Sequence, residues 1–273
     1  MKLGDIPNIV LTASGKGGVG KTTVASDIAR IAADEGVDVG FIDADVSTPN
    51  SLEVLGGEGV DVSDQRLSTA DALVPPEVEG VQLVSQSLVL PDDVPVLRGA
   101  EWRAETVVDY IQNVEWKDGT ELVVIDSPPG SGEELQVVAS SVPLNYAYVV
   151  STPHPSACRD ASKTHEFFKQ AGLPHEGVLN MAYMPKEAVI SHVLDDVDLQ
   201  QIQGVGESTE ESIREIIEET AERLPLFAFD ESDPPDFGPD IAAVLPYSES
   251  FGRRKMALGV EVSNLLERQE VEA

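Results

Sequence analysis

Two lysines and a threonine set among four glycines carry the chemistry of this chain. Residues 15–22 read Gly15-Lys16-Gly17-Gly18-Val19-Gly20-Lys21-Thr22. The string satisfies G-x-x-x-x-G-K-[ST], the loop that cradles phosphate, or P-loop. Gly17, Gly18 and Gly20 lack the Cβ that would hinder successive N–H groups from turning toward one anion. The amides from Gly15 to Thr23, that of Val19 among them, are the expected phosphate donors. Lys21 is placed to reach β- and γ-phosphates, and the Thr22 hydroxyl to ligate Mg²⁺. Carboxylates must complete such a site. Leu122 to Asp126 (L-V-V-I-D) is an apolar run ending in Asp126, the Walker B pattern, expected at the strand end where ligands bind. Phe41-Ile42-Asp43-Ala44-Asp45 repeats the logic. Asp43 and Asp45, at i and i+2, are expected to leave a strand on one side. One supports the magnesium shell; the other orients the attacking water that phosphoryl transfer requires. Ser127-Pro128-Pro129-Gly130 is a stiff turn ending in a permissive glycine, a device for sensing a γ-phosphate through a backbone N–H.

The elements that position these groups follow from apolar periodicity. Ile6 to Ala13 is short, apolar and bounded by turn residues, and reads as a buried strand. Thr22 to Asp34 has Val24, Ile28 and Ile31 at helical spacing. It reads as a helix whose N-terminal dipole favours an anion at the loop. Val37 to Ile42, Val81 to Ser85, Glu121 to Ile125, Tyr146 to Val150, Gly177 to Met181 and Ile241 to Leu245 read as further strands. Arg98 to Val114 and Glu249 to Arg268 read as helices. This alternation predicts an α/β fold: a doubly wound, mostly parallel sheet with helices on both faces. Gly56 to Pro76 reads as irregular surface. One domain over residues 1–273 is expected, with an acidic helical insert at about 204–224 and an acidic, Pro-rich loop at 230–240. The insert carries an apolar stripe at Ile213, Ile216, Ile217 and Ala221. It reads as a helix packed on the domain edge, or as a docking element.

The 273 residues include 49 acidic and 18 basic side chains, for a net charge of −31. Eight of the basic residues are lysine. Such a surface suits a concentrated-salt cytoplasm, where at ~1 M salt the Debye length is about 3 Å and self-repulsion is screened. A halophilic source is expected. The charge argues against a nonspecific nucleic-acid surface, which needs arrays of Lys and Arg, and against anionic membranes. Cys158 is the only cysteine, which excludes an intrachain disulfide and fits a cytoplasmic location. The start Met1-Lys2-Leu3-Gly4 does not read as a secretory signal, and no apolar run approaches the ~20 residues of a membrane span.

The additional lysine in G-K-G-G-V-G-K-T, Lys16, resembles the deviant Walker A ATPases: MinD, ParA, the nitrogenase iron protein and the Mrp/ApbC group. The chain looks most like Mrp/ApbC through F-I-D-A-D-V-S-T-P-N (41–50), P-V-L-R-G-A-E-W-R (95–103), V-E-W (114–116), V-V-I-D-S-P-P-G-S-G (123–132), S-T-P-H-P-S-A-C-R-D-A-S-K (151–163) and G-V-L-N-M-A-Y-M (177–184). The resemblance covers roughly residues 4–185. It implies a homodimer closed around sandwiched ATP, with Lys16 contacting phosphate of the partner copy. It implies Lys21 and Thr22 as phosphate and magnesium residues, Asp43 and Asp126 at the metal, Asp45 orienting water, and Asn180 reading adenine. Mrp/ApbC proteins usually follow the N-M segment with a C-x-x-C pair that holds a [4Fe–4S] cluster. Here Met181-Ala182-Tyr183-Met184-Pro185-Lys186 is followed by no cysteine, and clusters are held mainly by thiolates. Cys158 is expected just before a helix and cannot replace a pair. No cluster of its own is therefore expected.

The resemblance implies a Mg-ATP-binding and hydrolysing dimeric switch whose client protein the sequence does not name. A MinD/ParA-like positioning ATPase and an ATP-dependent ligase on the same scaffold are the alternatives. MinD usually ends in a basic amphipathic helix lying on the membrane. Here Arg253-Arg254-Lys255 is followed by Glu261, Glu267, Glu270 and Glu272, which argues against that contact.

Overall fold

The computed structural model describes residues 1–46, 48–57, 67–69, 72–85, 88, 107–108, 111–128, 130, 132–185, 209, 212, 223–225, 237–247 and 251–270. Its strands are β1 (Asn8–Ala13), β2 (Val39–Asp43), β3 (Leu67–Thr69), β4 (Ala72–Val74), β5 (Glu77–Val78), β6 (Val81–Val84), β7 (Leu122–Asp126), β8 (Tyr146–Ser151), β9 (His175–Pro185), β10 (Arg223–Pro225) and β11 (Ile241–Pro246). The helices used below are α1 (Lys21–Asp34), α2 (Ser51–Val54), α3 (Glu133–Ser141), α4 (Pro155–Ala171) and α5 (Phe251–Glu270).

The main sheet runs β10-β9-β8-β1-β7-β2-β6-β5, with β11 paired to β9. Every pairing from β6 through β2, β7, β1, β8 and β9 to β11 is parallel, and the antiparallel pairings are those of β5 and β10. β1 lies between β7 and β8, so successive strands are laid to either side of it. Ligands of such sheets bind at that reversal, beyond the carboxyl ends of the strands. The phosphate loop follows β1, and Asp126 ends β7 beside it.

Side chains alternate across the sheet into two cores. Val10 packs toward α1 and α5, with Val24, Ile28, Ile31, Leu258, Val262 and Leu265. Ile9, Leu11 and Ala13 pack toward α3 and α4, with Leu135, Val138, Ala161 and Phe168. Helices on both faces explain why β1, β2 and β7 are buried at every position, as their near-continuous apolar runs predict. Gly40 of β2 leaves room for the Trp116 ring, whose Cζ3 lies 2.4 Å from where a Cβ would sit.

Several details differ from the sequence reading. Residues 67–69 and 72–74 pair antiparallel as β3 and β4, inside the segment read as irregular. β9 runs on to Pro185 rather than ending at Met181. Cys158 lies inside α4, not before it. Pro155 opens that helix and His154 caps it by accepting the Ser156 amide; Pro is pre-organised for a first helical position, and that signal was available in the sequence. The closing helix spans Phe251–Glu270, displaced by two residues from the expected range. Residues 209 and 212 are helical and Arg223 begins β10; the rest of the acidic insert, and most of the 98–114 segment and the 230–240 loop, lie outside the described residues. His165 and His175 meet with Nδ1 and Nε2 2.8 Å apart. No described helix is long and apolar enough to cross a membrane.

Candidate functional site

The loop from Gly15 to Gly20 folds as its glycines require. Gly18 and Gly20 have φ of +78° and +80°, the left-handed region that side chains with a Cβ rarely adopt. Gly15 is needed for a different reason. A Cβ there would lie 2.1 Å from the Asp160 carbonyl carbon and oxygen, so the loop's entry is packed against the backbone of α4. Gly20 caps α1, and Lys21, Thr22 and Thr23 form that helix's first turn. Their free N–H groups and the helix dipole favour an anion at this point.

The two lysines of the loop are placed differently. Lys21 is buried and donates to Asp126 Oδ1 at 2.5 Å. Lys16 is exposed, and its Nζ donates to Ser156 Oγ at 2.9 Å, over the start of α4. Ser156 Oγ in turn lies 2.9 Å from His154 Nδ1.

Asp126 is the centre of the buried cluster. It is fully buried, and its Oδ2 accepts from Thr22 Oγ1 at 2.6 Å. Thr12 Oγ1 lies 3.3 Å from its Oδ1. Asp43 is its register partner on β2. Burial, and then the Asp126 carboxylate beside it, push the Asp43 carboxyl up to about 7. The amides of Asp45 and Ser51, which donate to Asp43 at 3.0 and 3.3 Å, oppose that rise. Two carboxylates and a hydroxyl close together form a hard-oxygen donor set of the kind Mg²⁺ takes.

Asp45 is not where strand periodicity predicted. β2 ends at Asp43, and the chain turns so that the Asp45 amide caps the Asp43 carboxylate. The Asp45 carboxylate accepts from the Thr48 amide at 3.2 Å and its hydroxyl at 3.1 Å. The pair thus do not project side by side from one strand. Gly130 has φ +91°, as the turn after Asp126 was expected to need; Pro129 lies outside the described residues.

Asn180 is buried within β9, and its amide nitrogen donates to the Val19 carbonyl at 2.9 Å. It lines a cavity of about 450 Å³ with Thr23, Met181, Pro246, Tyr247 and Arg254. This cavity adjoins the phosphate loop. A larger one, about 600 Å³, lies between α3 and α4 beside Leu144 and Leu173. Those residues precede β8 and β9, at the opposite end of the sheet. Its lining holds no ionisable side chain, so it cannot serve the phosphates.

Sequence reasoning missed one contact that braces the site. Arg254 of α5 is buried and pairs through Nε and Nη2 with the buried Asp27 of α1. Burial pushes the Asp27 carboxyl up despite the guanidinium. Lys255 pairs with Asp34 at 2.6 Å, and Tyr148 Oη donates to Glu261 at 2.8 Å. Among the described residues, no three His, Cys, Asp or Glu side chains are grouped to hold a metal ion. Cys158 is buried, with Sγ 3.3 Å from the Thr152 carbonyl.

This geometry has known counterparts. Residues 5–203 match the family described as ParA: NUBPL iron-transfer P-loop NTPase. An iron-sulfur cluster carrier protein from Pseudomonas fragi is 35% identical over 184 residues, covering 66% of this chain and 62% of that protein. One from Synechocystis is 33% identical over 182 residues, covering 66% of this chain and 51% of that protein. The chain therefore spans roughly half to three fifths of the length of these relatives. Among solved structures, a nucleotide-binding protein in complex with ADP from Archaeoglobus fulgidus superposes with a TM-score of 0.62 at 21% identity, covering 100% of this chain and 91% of that one. The septum site-determining protein MinD with Mg-ADP from Pyrococcus horikoshii gives 0.54 at 21% identity, covering 96% and 98%. At that identity the superpositions bear on the fold alone, and they agree with the doubly wound sheet. With most of its length matched, phosphate loop and Asp126 strand included, the chain belongs to the ParA/NUBPL family of iron-transfer P-loop NTPases.

Proposed function

We propose that this chain is a Mg-ATP-dependent switch that hydrolyses ATP as a homodimer and acts on a client protein, without a thiolate-held cluster of its own. The observation that carries the reading is the division of labour between the two loop lysines. Lys21 is buried against its own Asp126, whereas Lys16 is exposed at the mouth of the loop. A lysine that serves its own copy has no need of exposure; one that reaches across an interface does.

The loop amides and Lys21 bind the phosphates, and Thr22, Asp43 and Asp126 would hold the magnesium, which would supply neutralisation of the phosphate charge. Asp45 exchanges its Thr48 hydrogen bonds for the water that attacks the γ-phosphorus. The bond from that phosphorus to the β–γ bridging oxygen breaks, its electron pair leaving with ADP, while one water proton stays on the inorganic phosphate and the other passes to solvent. Contacts to the γ-phosphate made only in the closed dimer provide the differential free energy for switching. Cys158, the sole cysteine of the 273 residues, is buried in α4, so these residues offer no thiolate pair within one copy. The basic start of α5 supports a soluble role over a membrane-bound one, because Arg254 and Lys255 are engaged with α1.

Paired substitutions, assayed in molar KCl, test the reading. Lys21→Ala is expected to remove nucleotide binding. Lys16→Ala is expected to bind Mg-ATP normally yet lose ATP-driven dimerisation, read by light scattering, and turnover. Wild-type dimerisation and turnover in Lys16→Ala would refute the proposal.

A further inference from the structure

Strand β9 grips the phosphate loop from behind, and we infer that Asn180 is a positioning residue for that loop. The inference rests on the nucleotide reading above and assigns a further task to one of its residues. Val19 offers a carbonyl, which only accepts. The Asn180 atom 2.9 Å from it is therefore the amide nitrogen. The Val19 carbonyl and the Gly20 N–H belong to one planar trans peptide and point in opposite directions. By holding the carbonyl toward β9, Asn180 turns the Gly20 N–H away from β9, the direction a phosphate donor on the open side of the loop must face.

The strand is shaped for this grip. Val244 pairs with Leu179 and Pro246 with Tyr183, so three residues of β9, Asn180 to Ala182, oppose one residue of β11. Such a bulge bends a strand and re-aims its side chains. Met181, inside it, has φ +53°, a conformation that non-glycine residues seldom hold and that clusters at functional sites. The loop is shaped to match. A Cβ on Gly20 would lie 2.2 Å from Asn180 Nδ2 and 3.2 Å from Met181 Cε. The absent side chain of Gly20 and the bulge of β9 together bring the amide within reach of Val19.

A ligand with phosphates and no base separates the two tasks. Wild type and Asn180→Leu, as full chains in molar KCl with Mg²⁺, are titrated calorimetrically with ATP and with inorganic triphosphate. Leu keeps the size of Asn, removes the donor and adds no charge beside the phosphates. The expected result is a loss of about tenfold in affinity, the order of one hydrogen bond, and of the same size for both ligands. A loss confined to ATP, or no loss, overturns the inference and leaves the nucleotide reading standing. Wild type taking neither ligand overturns both. Circular dichroism checks folding; if the leucine variant does not fold, Asn180→Ala is measured against the same outcomes.

Discussion

Breaking the Asp27–Arg254 pair should cost this protein much of its stability, although the pair itself contributes little. Both side chains are buried, at 1% and 6% exposure. The Asp27 carboxyl is pushed up by burial, against the pull of Arg254 and the more distant Arg30. Desolvation thus outweighs attraction even with the partner in place. Asp27→Asn keeps the shape but removes the carboxylate charge that Arg254 Nε and Nη2 face. Removing one partner of such a pair costs about 3–5 kcal/mol, a large share of the roughly 5–15 kcal/mol that holds a domain together. Replacing both partners, as in Asp27→Leu with Arg254→Met, removes the desolvation cost as well and is expected to be near neutral. Urea unfolding of the single and double variants in molar KCl, followed by circular dichroism, gives the comparison. A single-variant loss below about 1 kcal/mol, or a double variant as unstable as the single one, would refute the reasoning. Arg254 also lines the cavity beside Asn180, so saturating Mg-ATP should return part of the lost stability by mass action.

Two further outcomes follow from the site. Asp43 carries a carboxyl raised to about 7 when folded, against 3.8 for a free aspartate side chain. The folded chain therefore holds a proton the unfolded chain has lost between about pH 4 and 7, and that contribution disappears as the pH rises through 7. Asp43→Asn should be more stable than wild type above pH 7, with the difference growing by up to about 1.4 kcal/mol per pH unit across the window; parallel stability–pH profiles would contradict the assignment. Gly15→Ala places a Cβ 2.1 Å from the Asp160 backbone, where no side-chain rotation relieves the clash. Nucleotide affinity should fall at least tenfold, measured by calorimetry, and unchanged affinity would show that the loop's entry moves freely from α4.

The features legible in the sequence are those written locally. The glycine spacing, the apolar run ending in Asp126 and the 3.6-residue period of α1 each depend on neighbours in the chain. Alternating strands and helices then limit the topology to a parallel, doubly wound sheet. The rest depends on contacts between distant segments. Asp45 was read as a strand continuation because nothing local marks where β2 gives way to a turn. The bulge in β9 appears only once β11 is laid beside it. Asp27 looks like an ordinary polar residue of an amphipathic helix until Arg254, at the other end of the chain, is packed onto it. Pro155 is a local signal too: it marks the start of α4 from the sequence alone.

The placement of α5 also bears on how the molecule is made. α1 follows the phosphate loop near the start of the chain, yet the core beneath it is closed by Leu258, Val262 and Leu265. During translation that seat stays open until residues 251–270 have been made. The helix that follows the phosphate loop is thus locked only after more than two hundred further residues have been added, so the nucleotide pocket is completed late relative to the loop that defines it.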